Sequence, residues 1–420
     1  MKKKKLLKSL IITVAVIALL LIVMPYVILA IVKQPKIDES HKYSKYFVHS
    51  YEESRENIQK RVEELEGKGV KVEYSSYAVD AEDDLYIDYM YLPSEDKKEN
   101  LIVLTAGVHG MEGYIGSTMV NVFFEEIYPN LDLTNTGIIV VENINPYGMK
   151  YYRRYNENNV DLNRNFILDW ETFDLSSNKD YPVVKDFLEP KGKTGNAFLK
   201  DISFFGKLAY NALTVGADKI SDALLTGQYE YPEGVYYGGV EDQASTTYLK
   251  QVFANTFEME YENIIHVDLH SGYGPRYDMV IFNSVYDTMT EAETKEQFKY
   301  DYIIAFDSES FYPTTGDTTD FYYRLAESKN TDKQLFSTCF EFGTLGDEFI
   351  DTIFSLKYTI EENRNHWYPT TNKMTQKIIT ECYNEMYYPT ETEWRENTVD
   401  DFMAAMKGVL NNKLIGGYSE

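Results

Sequence analysis

The sequence predicts an α/β protein with a mixed, mostly parallel sheet flanked by helices on both faces, preceded by one N-terminal transmembrane helix. Three observations carry this expectation. Apolar strand-like runs alternate with helix-forming segments along most of the chain, the pattern of a sheet covered on both sides. At 420 residues, with 44% hydrophobic and 15% aromatic content, the chain has enough apolar material for a large core. Residues 10–32 carry no charge, a stretch long enough to cross a bilayer.

The N-terminus sets the topology. A cleaved signal peptide is the competing account of the apolar stretch, but the run exceeds an ordinary signal core, and "VILA" lacks a small residue two before Ala30. Lys2, Lys3, Lys4, Lys5 and Lys8 crowd one flank, whereas Lys33, Lys36, Lys42 and Lys45 on the other are diluted by Asp38 and Glu39. The positive flank stays inside. The expected division is a cytoplasmic tail (1–8), a membrane anchor (9–32), a juxtamembrane linker (33–50) and a catalytic domain outside the cytoplasm (51–420). Taking those five lysines from the 41 basic residues leaves 36 against 67 acidic ones, a net of −31. Such a body repels nucleic acid and anionic lipid headgroups, so no nucleic-acid partner is expected.

Residues 51–67 contain helix formers, a charged face and a closing glycine, and predict a helix. KVEYSSYAV, DLYIDYMYL and NLIVLTAG read as strands separated by acidic or proline-containing turns. GSTMVNVFFEEIY predicts a helix and GIIVVENI a buried strand. Residues 167–250 are less regular, with a helix expected around FFGKLAYNALTVGADKISDALLTG and turns in QYEYPEGVYYGG. Strand patterns return in NIIHVDLHS, YDMVIFN, DYIIAF and LFSTCFEFG. From Asp351 to Leu414 two or three helices are expected, the last capped by Thr390 with Glu393. The two cysteines, Cys339 and Cys382, make neither a disulfide framework nor a thiolate metal site.

Any metal must therefore be held by histidine and carboxylate. His109 and Glu112, three apart, follow the apolar run LIVLTAG, which delivers them from a strand end onto a loop, where sheets of this class place ligand sites. Short motifs arise by chance, and His49 with Glu52 has the same spacing in a polar stretch that reads as solvated surface. A catalytic zinc needs three protein ligands, commonly two His and one Glu, and an open fourth position. His270, at the end of IIHVDLHSG, is the candidate third ligand. Alternation puts His266, Asp268 and His270 on one face of that strand. His266, further back, reads as a satisfied core residue; Asp268 either orients a ligand imidazole or caps a turn.

The order H-x-x-E, NPYG, VDLNRNF, DLHSG and CFEFGT resembles the zinc carboxypeptidase superfamily of the carboxypeptidase A type. The likeness runs from about Glu73 to Phe349 and is greatest to a bacterial branch of largely unknown function. It implies one zinc ion per chain on His109, Glu112 and His270, where a bound water's pKa falls to about 7. Glu341 matches the general base; between phenylalanines and near Cys339 it is poorly solvated, which raises a carboxyl's pKa. A buried structural glutamate is the competing account. Asn163 and Arg164 match the pair that holds the substrate's terminal carboxylate, a task suited to arginine's planar fork. Arg154 matches the arginine that stabilises the oxyanion, with Arg153 adjacent as the alternative. Tyr312 resembles the family's mobile substrate tyrosine.

The segment between Asn165 and His270 has no counterpart in the digestive enzymes and is expected to cover or reshape the cleft. The resulting expectation is a membrane-anchored hydrolase that cleaves an amide bond near a free carboxylate, with a peptide as substrate. A deacylase of N-acyl amino acids is the enzymatic alternative. A non-catalytic peptide- or glycan-binding module on the same fold is the third.

Overall fold

Strand-forming runs rich in Val, Ile and Tyr build one eight-stranded sheet in the computed structural model, which describes residues 2–32, 37–38, 40–309 and 314–418. The strands are β1 (Glu73–Asp80), β2 (Leu85–Leu92), β3 (Asn100–Ala106), β4 (Thr136–Glu142), β5 (Asn263–Gly272), β6 (Met279–Asn283), β7 (Ile303–Ile304) and β8 (Gln334–Gly343). Their spatial order is β1-β2-β4-β3-β5-β8-β6-β7. The central four, β4-β3-β5-β8, run parallel, and antiparallel pairs join them to β2 and β6. The sheet is thus mixed with a parallel core.

The helices are α1 (Lys2–Val32), α2 (Tyr51–Gly67), α3 (Gly113–Val122), α4 (Pro146–Lys150), α5 (Tyr181–Leu188), α6 (Ala197–Thr214) and α7 (Ala217–Leu225). They continue as α8 (Ala244–Glu258), α9 (Glu291–Phe298), α10 (Thr318–Lys329), α11 (Phe349–Trp367), α12 (Lys373–Tyr387) and α13 (Thr392–Lys413). Within α1, Thr13–Ile31 is long and apolar enough to cross a membrane. The two faces of the central strands explain their unbroken apolar runs. Ile102 and Leu104 of β3 face a cluster with Ile58 of α2, Met119 of α3 and Phe402 of α13. Leu101 and Val103 face the opposite way, onto Leu249 and Phe253 of α8 and Phe321 of α10. Alternate residues enter alternate layers, so Leu101–Leu104 is apolar at each position.

Several expected elements shift. The helix expected from Phe204 begins at Ala197, because Asn196 caps it by accepting from the Phe198 N–H at 3.0 Å. It ends at Thr214, and Gly216, at φ +106°, lets the chain turn into a separate α7. DYIIAF contributes only Ile303 and Ile304 to the sheet. The Thr390 cap is not formed: Glu391 occupies the cap position of α13 with its side chain turned to Arg276 and Tyr277 rather than to the helix, and the Thr390 hydroxyl donates to Glu385 at 2.8 Å. Cys339 and Cys382 are free thiols, as their number suggested. Helices α5, α6 and α7 pack on Leu356 and Ile360 of α11 through Phe187, Phe204 and Ala223.

Candidate metal centre

Three parallel strands end side by side, and each delivers part of one site. After β3, Gly107 turns at φ +84° and the chain enters a short turn, Gly110–Glu112, that leads into α3. The glycines are there for close approach: a Cβ on Gly110 would lie 2.0 Å from the Gly148 carbonyl carbon of α4. Helix α4 is itself held by Asn145, whose Oδ1 accepts from the Gly148 N–H at 2.8 Å and whose amide donates to the Arg154 carbonyl at 2.9 Å. NPYG therefore builds the wall against which the His109 loop packs. His270 sits at the end of β5, in register with Glu341 on β8.

His109, Glu112 and His270 are buried and offer ligand atoms that all lie within 4.8 Å of one another. His109 Nδ1 lies 2.8 Å from Glu112 Oε1, His270 Nδ1 lies 2.9 Å from Oε2, and the two Nδ1 atoms are 3.3 Å apart. The outer nitrogens face carboxylates: His109 Nε2 is 3.1 Å from Asp161 and His270 Nε2 is 2.8 Å from Asp268. A carboxylate accepts only, so each Nε2 carries a proton and donates it. Each Nδ1 also faces a Glu112 oxygen, so the proton it shares there without metal is the one that a cation displaces, and both Nδ1 lone pairs then point at one place. A cation resolves that arrangement, and tetrahedral zinc with bonds of about 2.0–2.1 Å sets neighbouring ligands about 3.3 Å apart. The donor set fits a zinc ion.

The surrounding groups are arranged in the same sense. Burial works to raise the Glu112 carboxyl, but His109 and His270 outweigh it and hold its pKa at about 2. Asp268 is fixed by the hydroxyls of Thr105, at 2.6 Å, and Thr318. His266 donates and accepts between Thr105, at 2.8 Å, and Ser337, at 2.7 Å, and is fully buried. It is a satisfied core residue, and burial lowers its pKa to about 4. His49 is exposed, and its backbone N–H donates to Glu53 at 2.7 Å. The shared H-x-x-E spacing makes no site there.

Glu341 opens into the same cleft, half-buried, and accepts from the Tyr273 N–H at 3.0 Å. Burial first, then the charge of Glu112, pushes its pKa up to about 7. The two adjacent arginines part company. Arg153 turns away to Glu362 at 2.9 Å and Asn159 at 2.8 Å. Arg154 lies over the site, with Nη1 3.5 Å from Glu112 Oε1 and 3.4 Å from the Tyr387 hydroxyl. Asn163 and Arg164 line the cleft, and Arg164 Nε is buried with no hydrogen-bond partner among the described residues. Tyr312 lies outside the described residues.

The cleft has a volume of about 360 Å³, and Leu224, Leu225 and Tyr236 from the inserted segment form part of its wall. Asp161 is the residue that sequence reasoning passed over. Its Oδ1 meets His109 and accepts from the Asn163 N–H at 3.1 Å, while its Oδ2 accepts from Arg154 Nε at 2.9 Å. Arg154 and His109 overcome burial and hold its carboxyl well below the usual range. The signal was present in VDLNRNF, where the carboxylate stands two residues before Asn163.

Residues 47–401 match a family described as a protein family of unknown function, DUF2817. The chain belongs to that family. No curated protein matches it in sequence. Among solved structures it is similar to bovine thrombin-activatable fibrinolysis inhibitor in complex with tick carboxypeptidase inhibitor, at 16% identity and TM-score 0.41, covering 81% of this chain and 97% of that one. Carboxypeptidase A from Helicoverpa armigera is similar at 15% identity and TM-score 0.41, covering 86% and 80%. Succinylglutamate desuccinylase from Chromobacterium violaceum is similar at 12% identity and TM-score 0.33, covering 69% and 68%.

Proposed function

We propose that this member of the DUF2817 family is a membrane-anchored, extracytoplasmic zinc-dependent hydrolase of the carboxypeptidase type, cleaving an amide bond next to a free carboxylate. The observation that carries this reading is the convergence of His109 Nδ1, His270 Nδ1 and the Glu112 carboxylate on one point in a cleft that also contains Glu341. His109, Glu112 and His270 would hold a zinc ion, which would supply Lewis-acid charge to a carbonyl oxygen and lower the pKa of a water. Glu341 takes the proton that water loses as its oxygen bonds to the carbonyl carbon. The same carboxyl passes that proton to the leaving nitrogen as the C–N bond breaks, and is ionised again at the end. Arg154 offers positive charge to the developing oxyanion.

Asn163 and Arg164 receive the substrate's carboxylate. The unpartnered Nε of Arg164 supports this role, since a buried donor without an acceptor costs free energy until a ligand supplies one. The five lysines near the N-terminus keep that end in the cytoplasm and α1 in the membrane as an anchor. A peptide is the first substrate class. An N-acyl amino acid is the second, favoured by Leu224, Leu225, Leu345 and Leu356, which give an acyl chain an apolar wall. A non-catalytic binding module has no use for Glu341.

Metal analysis of the purified chain, followed by hydrolysis assays on peptides with free and amidated C-termini and on N-acyl amino acids, tests the reading. About one zinc per chain is expected, with cleavage that requires the free carboxylate. A chain that binds no divalent ion and cleaves none of these amides overturns it.

A further inference from the structure

Helix α1 is joined to the rest of the molecule along its second half. Pro25 is buried, and Leu21, Met24, Ile28 and Leu29 are half-buried on the same side. Proline has no N–H, so the Leu21 carbonyl four residues earlier loses its helical partner. The side-chain amide of Asn196 donates to that carbonyl at 2.8 Å, while the same side chain's oxygen caps α6. Ile28 and Leu29 pack on Ala197 of α6 and on Ile378 and Cys382 of α12. At 1.5 Å per residue, Leu21 to Ile31 spans about 15 Å, half the roughly 30 Å hydrocarbon core of a bilayer. An anchor seated in lipid therefore brings the start of α6 to the membrane.

The outward face of α6 suits that position. Leu199, Ile202, Phe205, Tyr210 and Leu213 are exposed along it, Leu213 at 87%. Phe205 meets Phe354 of α11 with ring centroids 6.2 Å apart, and α11 begins with exposed Phe349 and Ile350. On α6 itself Lys200 and Asp201 pair with each other at 2.9 Å, leaving exposed Lys207 as the outward charge, while exposed Asp347 and Glu348 stand just before the first turn of α11. An apolar helix face with a basic residue, in a strongly acidic protein, matches a lipid interface.

We infer that α6 and the first turn of α11 form a membrane-seated surface, continuous with α1, whose occupant is the leaflet facing the catalytic domain. Because Asp347 and Asp351 beside that first turn line the cleft, the cleft opens next to the lipid surface.

The test uses the full chain reconstituted in phosphatidylcholine vesicles, with single cysteines introduced at Ile202 and at Leu213 and labelled with an environment-sensitive fluorophore. Val16 on α1 serves as the inserted reference. Glu260, exposed just before the N-terminal end of β5 and so at the opposite edge of the sheet from the cleft, serves as the aqueous reference. The unsubstituted chain gives the background from Cys339 and Cys382. Labels at 202 and 213 are expected to be quenched by spin-labelled lipid several-fold more strongly than at 260. Quenching equal to that at Glu260 overturns the inference, as does a Val16 label that escapes quenching. Energy transfer between differently labelled chains at 202, without lipid quenching, assigns the face to a second copy and also overturns it.

Discussion

His270 Nε2 lies 2.8 Å from Asp268 Oδ2, two residues back along the same strand. The hydroxyls of Thr105 and Thr318 hold that carboxylate, so the imidazole is fixed with a proton on Nε2, and Nδ1, facing Glu112, is the nitrogen left for a metal. Asp268→Asn puts an amide in this place. If its NH₂ faces the ring, the favoured tautomer reverses and a proton occupies the nitrogen that should bind metal. Loss of such a carboxylate costs about 10–100-fold in metal affinity. Competition with a chelator should report a loss of that size, with the fold retained by circular dichroism.

Glu341 shares the cleft with the His109, Glu112 and His270 cluster but its own contacts are the Tyr273 N–H and the Cys339 thiol at 3.8 Å. Glu341→Gln preserves shape and removes the proton carrier. The variant should bind metal like the parent and lose about 10²–10⁴-fold in kcat, the range for general acid–base catalysis. Loss of metal along with activity would instead make Glu341 part of the metal cluster.

The central strands and the cluster His109, Glu112 and His270 were legible because each carries a local pattern: apolar runs bounded by turns, and donors placed at strand ends. What escaped the sequence did so for physical reasons. The start of α6 at Ala197 rather than Phe204 was missed because its signal is a single capping residue, Asn196, in a polar stretch. The Thr390 cap failed because α13 starts at Thr392, which puts Glu391 rather than Thr390 at the cap position, and the Thr390 hydroxyl donates to Glu385 instead. Asp161 was overlooked because its partners, His109 and Arg154, are brought to it by the fold, 52 and 7 residues away along the chain. Choosing between Arg153 and Arg154 likewise needed Glu362, from α11, to claim Arg153.

Arg164 depends on a residue with no side chain. A Cβ on Gly227 would lie 2.7 Å from Arg164 Cδ, and Gly227 sits at φ +71°, so the glycine serves both the turn and the arginine's position. Arg164→Lys keeps the charge but loses the planar fork. If the guanidinium receives the substrate's carboxylate, the loss of a charge-assisted bond, about 1.5–3 kcal/mol, raises KM for free-carboxylate substrates by roughly 10- to 150-fold. Amidated analogues should be little affected. Steady-state kinetics on the two substrate series separates this from a general loss of structure, which would lower both.

Asp401, remote from the cleft, gives the fold a pH dependence of its own. Its carboxylate accepts from the Met279 N–H at 2.9 Å, and burial first, then Asp278 and Asp400 nearby, raise its pKa from the ordinary 3.8 to about 6, against the opposing hydrogen bonds of Met279 and Tyr300. Folding therefore favours the protonated form. The stabilisation is complete below the unfolded value of 3.8 and is lost as pH rises through about 6. Asp401→Asn cannot ionise but can still accept from Met279. Relative to the parent it should gain stability between pH 4 and pH 7, by about 1–2 kcal/mol once solvent screening of this partly exposed carboxyl is allowed for. Unfolding of both chains in detergent across that range, with the difference plotted against pH, should give a rising curve centred at about 5; a flat or falling curve would place the Asp401 carboxyl in an ionised, well-satisfied state instead.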